Sequence, residues 1–389
     1  MISTILCFLS ACSASYRQVD EYAGSSNAKP ARELKLLPEV HFGDPIDIIE
    51  PKQIFALSEK QKQEFLNFAN HGKFKSEATN KIIYNYLKDK LSSFNFYSST
   101  YTASKALALN EGNCLSLAIV TKSLADLLRV EIHYQLVNTP PVYQRKDNLV
   151  VSSQHIRTKL IETPNSHNQI TVFASNILID YFPVKGTRML RRVPEQEFIS
   201  MYYQNMAAES ILGGKLKPAY WYLVKSLELT KDNPITLNML ALIHERMGYD
   251  DYAEGIYLYG LENTHEKLNL LNNYHILLVH QNRHQEARKI ATQLEQYQDN
   301  NPFKWINIAD TAYNLKDYEK AILLYNKAKK MAPYLHEPYA GIARAKIQLG
   351  EYQDAQRHLE SALENTYSDD FKNVYLSKYK LLTKLINDN

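Results

Sequence analysis

Only three cysteines occur in 389 residues, and two of them, Cys7 and Cys12, fall within the first dozen. Cys114 is the one thiol beyond them, so there is no disulfide framework to read. Long apolar runs are also missing. The stretch 2–11 is apolar or small, but a bilayer crossing takes about 20 residues. No Lys or Arg precedes it. Dense basic runs are absent and the net charge is only +3, which gives no electrostatic ground for nucleic acid as a partner. What remains is ordinary for a globular protein, with 45% apolar and 22% charged residues. Its length suggests two domains.

The short apolar start reads as a targeting peptide, residues 1–11, to be set aside in fold reasoning. Its end, Leu9-Ser10-Ala11-Cys12, resembles a bacterial lipobox. That resemblance implies cleavage before Cys12, a lipid on its sulfur and a membrane as partner. Ser13 resembles the sorting residue of outer-membrane lipoproteins, so the expected place is the cell envelope, on the periplasmic face of the outer membrane. From Ser13 to Arg32 the chain is polar and small and cannot bury a core. Residues 12–43 are expected to be a lipidated tether.

The C-terminal half repeats. Ala219, Ala253, Ala287, Ala321 and Ala355 recur at a fixed 34-residue spacing, and so do Ala207, Ala241, His275, Ala309 and Ala343. A third ladder runs Ser226, Gly260, Leu294, Ala328, Ala362. Gly214, Gly248, Asn282, Lys316 and Gly350 share a turn register. Small residues suit the places where two antiparallel helices touch closely. The pattern resembles the tetratricopeptide repeat, most clearly over 307–333 and 341–364. About five units are expected over 194–370, then a C-terminal helix over 371–389. The unit at 267–300 departs most. The resemblance implies an all-α solenoid with a concave groove for a peptide or protein partner. His280 and His284 are four apart, a spacing that can suit a metal, but Asn282 puts a bend between them and no Glu or Cys completes a site. Tyr257 and Tyr325 share one register and read as repeat packing.

Between tether and array, residues 57–71 and 76–93 read as helices, the second with an Ile82, Ile83, Tyr86 stripe. Leu117, Ala118, Leu124, Ala125 and Leu128 follow Cys114 at helical spacing, so 114–129 is a core helix that begins at the thiol. Gly112 and Asn113 supply the turn before it. A thiol at a helix start faces unpaired N–H groups, which favour thiolate and can bind an oxyanion. The pattern then alternates over 130–137, as a half-buried strand should. A proline-containing loop is expected over 138–148, followed by strands over 150–162 and 169–184. In the first of these, His155, Arg157 and Lys159 share a face. Asp180 lies in the second, where a carboxylate among apolar neighbours wants a partner.

Helix, cysteine at a helix start, strand, strand with His and strand ending in Asp is the order of the bacterial transglutaminase-like domain, a rearranged relative of papain-like proteases. The match covers roughly 75–190 within an expected domain 44–193. The resulting expectation is an α+β papain/transglutaminase-like domain followed by the solenoid. The resemblance implies that Cys114 is the nucleophile, His155 the general base and Asp180 its orienting acid, in a thiol hydrolase or acyltransferase without a cofactor. Ile156 and Arg157 stand where the family usually has an aromatic residue. His133, with Glu131 and Gln135 on its face, reads as a surface residue, and His167 reads as part of a turn. The rival expectation is a catalytically inactive binding or scaffold protein that acts through its repeats.

Overall fold

The computed structural model describes residues 7–9 and 32–387, except 73, 75–76, 91–92, 97–98, 147–148, 162–175, 182–187, 295, 298–300 and 367. Most of the targeting segment, the lipidation site Cys12, the turn at His167 and the first half of the expected strand 169–184 lie outside the described residues. The chain divides into two compact units, Met1–Pro141 with Ser153–Leu294, and Val142–Ser152 with Glu295–Asn389. Among the described residues no helix is long and apolar enough to cross a membrane.

Among the described residues of the first unit, five α-helices precede the main strands: α1 (Pro51–Ile54), α2 (Glu59–Ala69), α3 (Thr79–Lys90), α4 (Ala103–Leu109) and α5 (Cys114–Leu127). Ser58 starts α2 with a capping box, its Oγ accepting from the Gln61 N–H at 3.2 Å. Ile82, Ile83 and Tyr86 bury the expected face of α3. Helix α5 is buried on nearly all sides from Leu115 to Ala125, which is why its sequence is apolar almost throughout.

The sheet holds β1 (Cys7–Leu9), β2 (Glu131–Lys146), β3 (Leu149–Ile161), β4 (Ile177–Ile179) and β5 (Arg188–Val193), in the order β1-β3-β2-β5 with β4 also on β3. One expectation is corrected here. The segment 138–146 is not a loop: β2 continues through Pro140 and Pro141 to Lys146. Proline is tolerated in a strand where its missing N–H faces away from a partner. Ahead of the repeats runs β5, antiparallel to β2 with Tyr134 opposite Val193. Of the expected strand 169–184, Ile177–Ile179 is strand, with Thr158 opposite Ile179.

Repeat helices in this unit pair as α6 (Glu195–Leu212) with α7 (Leu216–Leu229), α8 (Pro234–Arg246) with α9 (Asp250–Asn263), and α10 (Leu268–His280) with α11 (His284–Leu294). The core does not stop at the expected boundary of residue 193. Phe198, Tyr202 and Tyr203 of α6 join the cluster built on Phe65, Ile83, Leu117 and Leu124. The second unit holds α12 (Pro302–Asn314), α13 (Tyr318–Met331), α14 (His336–Gln348), α15 (Tyr352–Glu364) and α16 (Asp369–Asn387). Tyr375 and Leu382 of α16 cover the last pair.

The repeat register is written into the backbone. Gly214, Gly248, Asn282, Lys316 and Gly350 have φ of 73, 84, 58, 62 and 77°. Each closes the first helix of a pair in the left-handed conformation. The alanines of the ladders are buried, and at Gly341 a Cβ would come within 2.5 Å of the Tyr325 ring. Tyr257 and Tyr325 are fully buried, as repeat packing requires.

One buried carboxyl in the array makes a stability prediction. Glu245 of α8 lies 3.5 Å from the Tyr257 hydroxyl and 3.6 Å from His280 Nδ1. Burial first, then the charge of Asp250, pushes its pKa up to about 7, with Tyr257 and Arg246 opposing. The folded value lies above the unfolded one, so the native state holds a proton that the unfolded chain releases. Stability is therefore greatest below the unfolded value and is lost as pH rises through about 7. Glu245→Gln should raise stability by about 1–3 kcal/mol at pH 8 and by little at pH 4. Urea unfolding at the two pH values measures the difference, and equal gains at both would contradict it.

Candidate active site

The start of α5 is shaped by three residues. Helix α4 ends at Asn110, left-handed with φ 55°, and the Gly112 N–H donates to the Asn95 carbonyl at 3.0 Å. A Cβ on Gly112 would stand 2.7 Å from Ser116 Cβ, so only glycine lets the chain enter the helix this closely. Asn113 is the N-cap: its Oδ1 accepts from the Ser116 N–H at 3.0 Å. Cys114 is the first residue of the helix, as its spacing predicts.

Three backbone N–H groups, those of Ile156, Leu115 and Cys114 itself, reach the thiol and favour its ionised form. Burial outweighs them and pushes the Cys114 thiol above the ordinary range, with the nearby Asp180 charge adding to the rise. This corrects the expectation that the helix start lowers the thiol pKa. The N–H groups are in place, but in a desolvated setting they do not offset the loss of water.

The Ile156 N–H that reaches the sulfur belongs to β3, one residue past His155. On this strand Ile156, Thr158 and Leu160 are buried on the core side, and His155, Arg157 and Lys159 alternate with them. The pairing of β3 with β4, Thr158 opposite Ile179, carried one step further sets Asp180 opposite Arg157. His155 then lies on the diagonal. Its Nε2 is 2.6 Å from Asp180 Oδ1, with the two side chains 11% and 14% exposed. The Arg157 guanidinium stands 3.9 Å from Asp180 Oδ2 and donates to Gln135 Oε1 at 2.9 Å. The structure thus brings His155 and Asp180 into contact and sets the Cys114 sulfur beside the backbone next to His155.

Tyr181 escaped the sequence reading. Its hydroxyl is 2.5 Å from Thr121 Oγ1 and 3.1 Å from Thr158 Oγ1, and it donates to the Leu117 carbonyl at 3.2 Å. It ties the residue after Asp180 to the helix that begins at Cys114. Its only sequence signal is a tyrosine at the end of an apolar run. His133 sits apart from this group, 2.6 Å from Glu131 Oε1. His280 ends α10 and His284 begins α11, either side of left-handed Asn282. Among the described residues no three His, Cys, Asp or Glu side chains gather to hold a metal ion.

No protein-family profile matches the chain, and no curated protein matches it. Similar solved structures align with about half of it. The chain shares 18% identity with Pseudomonas aeruginosa PilF at a TM-score of 0.37, over 50% of this chain and 87% of that one. It shares 19% with yeast Tom70 at 0.40, over 48% of this chain and 40% of that one. It shares 16% with TTC0263, a tetratricopeptide protein of Thermus thermophilus, at 0.35, over 46% and 97%. Residues 195–294 of the first unit and 302–364 of the second each fold as tetratricopeptide-like helix pairs, as their common turn register defines them.

Proposed function

We propose that this chain is a thiol acyl hydrolase or acyltransferase of the transglutaminase-like type, joined to a repeat array that binds a peptide or protein. The observation that carries the reading is the meeting of His155 with Asp180 beside the Cys114 helix start. With Nε2 held by Asp180, Nδ1 is the nitrogen that exchanges protons. His155 acts as general base toward the Cys114 thiol. It takes the S–H proton as sulfur adds to an amide or ester carbonyl. The Cys114 N–H supports the oxyanion. The imidazolium returns its proton to the departing amine or alcohol as the carbonyl reforms, leaving a thioester. Water or an amine, deprotonated by the same imidazole, then releases the acyl group and restores the thiol. The raised thiol pKa also supports a second reading, a catalytically silent scaffold working through its repeats.

We place the chain in the cell envelope, on the periplasmic face of the outer membrane and anchored by a lipid on Cys12, on the strength of Leu9-Ser10-Ala11-Cys12. Peptide mass spectrometry after brief exposure to p-nitrophenyl acetate tests both parts in one sample from the native host. An acetyl group should appear on Cys114 of the folded chain and not on the denatured chain, and the first peptide should begin at a lipid-modified Cys12. Acetylation no faster than in the denatured chain would favour the silent scaffold. A first peptide that retains Met1 would remove the anchor.

A further inference from the structure

The N-cap of the cysteine helix is not held by its own neighbourhood alone. Asn113 Oδ1 caps the helix, so its Nδ2 needs an acceptor elsewhere, and it donates to Thr100 Oγ1 at 2.7 Å. Thr100 is 3% exposed. The same oxygen accepts a second bond, 3.0 Å, from Asn205 Nδ2, so both of its lone pairs are committed. The Thr100 N–H donates to Glu209 Oε1 at 2.8 Å. One residue on, the Tyr101 N–H donates to Ser116 Oγ at 2.8 Å, and Ser116 Oγ lies 3.2 Å from Asn113 Oδ1 as its donor. Asn113, Thr100, Tyr101 and Ser116 form a closed ring around the start of α5. Asn205 and Glu209, one turn apart on α6, hold that ring from outside.

We propose that Asn205 and Glu209 are positioning residues for the Cys114 thiol, so that the first repeat helix is a working part of the site. This rests on the thiol chemistry proposed above, but the positioning itself is read out without turnover. Helix α6 already packs on the core through Phe198, Tyr202 and Tyr203. Apolar burial therefore does not call for a buried polar bridge at this point. What the bridge adds is control of direction. The cap orients the Cys114 and Leu115 N–H groups, and these oppose the burial that raises the thiol pKa. A shift of α6 moves Thr100, turns the Asn113 amide and re-aims those donors. A ligand that repacks the first repeat thereby reaches the sulfur through three hydrogen bonds.

The test uses the full chain with the cysteine Cβ carrying 13C, whose chemical shift follows ionisation of Cys114. Asn205→Leu keeps bulk and removes the donor. Its thiol midpoint should rise by about half a pH unit or more, because the thiolate loses oriented N–H groups. Thr100→Val, nearly the same shape without the shared oxygen, should shift it the same way and serves if the first variant folds poorly. Asn205→Gln, which restores a donor, should bring the midpoint back toward wild type. Tyr203→Phe removes a different α6 tie, the 2.7 Å bond from its hydroxyl to the Ile49 carbonyl. It should lower the melting temperature and leave the midpoint unmoved. Native-like melting with an unmoved midpoint in both Asn205→Leu and Thr100→Val would overturn the proposal, as would an equal shift in Tyr203→Phe. Failure of Cys114 to become acetylated counts against the enzymatic reading alone.

Discussion

Residues 33–193 expressed alone should fail to reach a native fold, with molten near-ultraviolet dichroism and exposed apolar surface. Three aromatic side chains of α6 belong to their core. Phe198 stacks on Tyr134 at 3.8 Å with the rings 6° from parallel, and Tyr202 and Tyr203 are buried in the same cluster. The attachments continue outward. Phe42 stacks on Tyr220 at 3.5 Å, and the Leu37 N–H donates to His244 Nε2 at 3.1 Å. Losing one buried aromatic costs about 3–5 kcal/mol. Losing three together removes ~10 kcal/mol, comparable to the whole stability of about 5–15 kcal/mol of an ordinary domain. The cut also bares Thr100, whose N–H and hydroxyl then lose Glu209 and Asn205. A fragment that unfolds cooperatively with full-length stability would show that the packing of α6 is dispensable.

Asp180→Asn should slow acylation of Cys114 by p-nitrophenyl acetate about 10³–10⁴-fold, the scale seen when the orienting acid of a catalytic triad becomes an amide. The reason is specific to this site. In the proposed reaction His155 takes the thiol proton and becomes an imidazolium. A carboxylate 2.6 Å from Nε2 stabilises that cation, and a carboxamide does so only weakly. With Arg157 at 3.9 Å left without its counter-charge, the variant also places an unopposed cation beside the imidazolium. Stopped-flow measurement of p-nitrophenolate release gives the rate. A loss of less than tenfold would mean that His155 does not work through Asp180.

The array was the most legible part of the sequence, because helix pairing at close range demands small residues at a fixed period. Even Lys316, which has no evident reason to sit in a glycine position, adopts the left-handed φ of 62° that its register assigns. The start of α5 was legible for a similar reason: Gly112 and Asn113 have few other uses just ahead of an apolar helix. Strand β5 was not. Its sequence, RMLRRV, is mostly solvent-facing, with Met189 and Leu190 exposed, so no buried face imprints a period of two on it. Pairing with β2 decides its conformation from outside. The extension of β2 ran against a sound local rule, since two prolines in succession argue for a loop. Thr100 was invisible because a buried polar junction leaves no periodic mark. The helix-start N–H groups beside the thiol can be read from sequence, whereas the desolvation that raises its pKa cannot.

The solitude of Cys114 has a redox consequence. An oxidant that reaches its sulfur would make a sulfenic acid, and at redox-sensor sites a neighbouring thiol often condenses with that acid to a disulfide that reductases can open. Beyond the first dozen residues this chain offers no such thiol. Oxidation here would be resolved by a small-molecule thiol or would run on to the irreversible acids. The desolvation that raises its pKa then also slows that oxidation, because oxidants attack the thiolate far faster than the thiol.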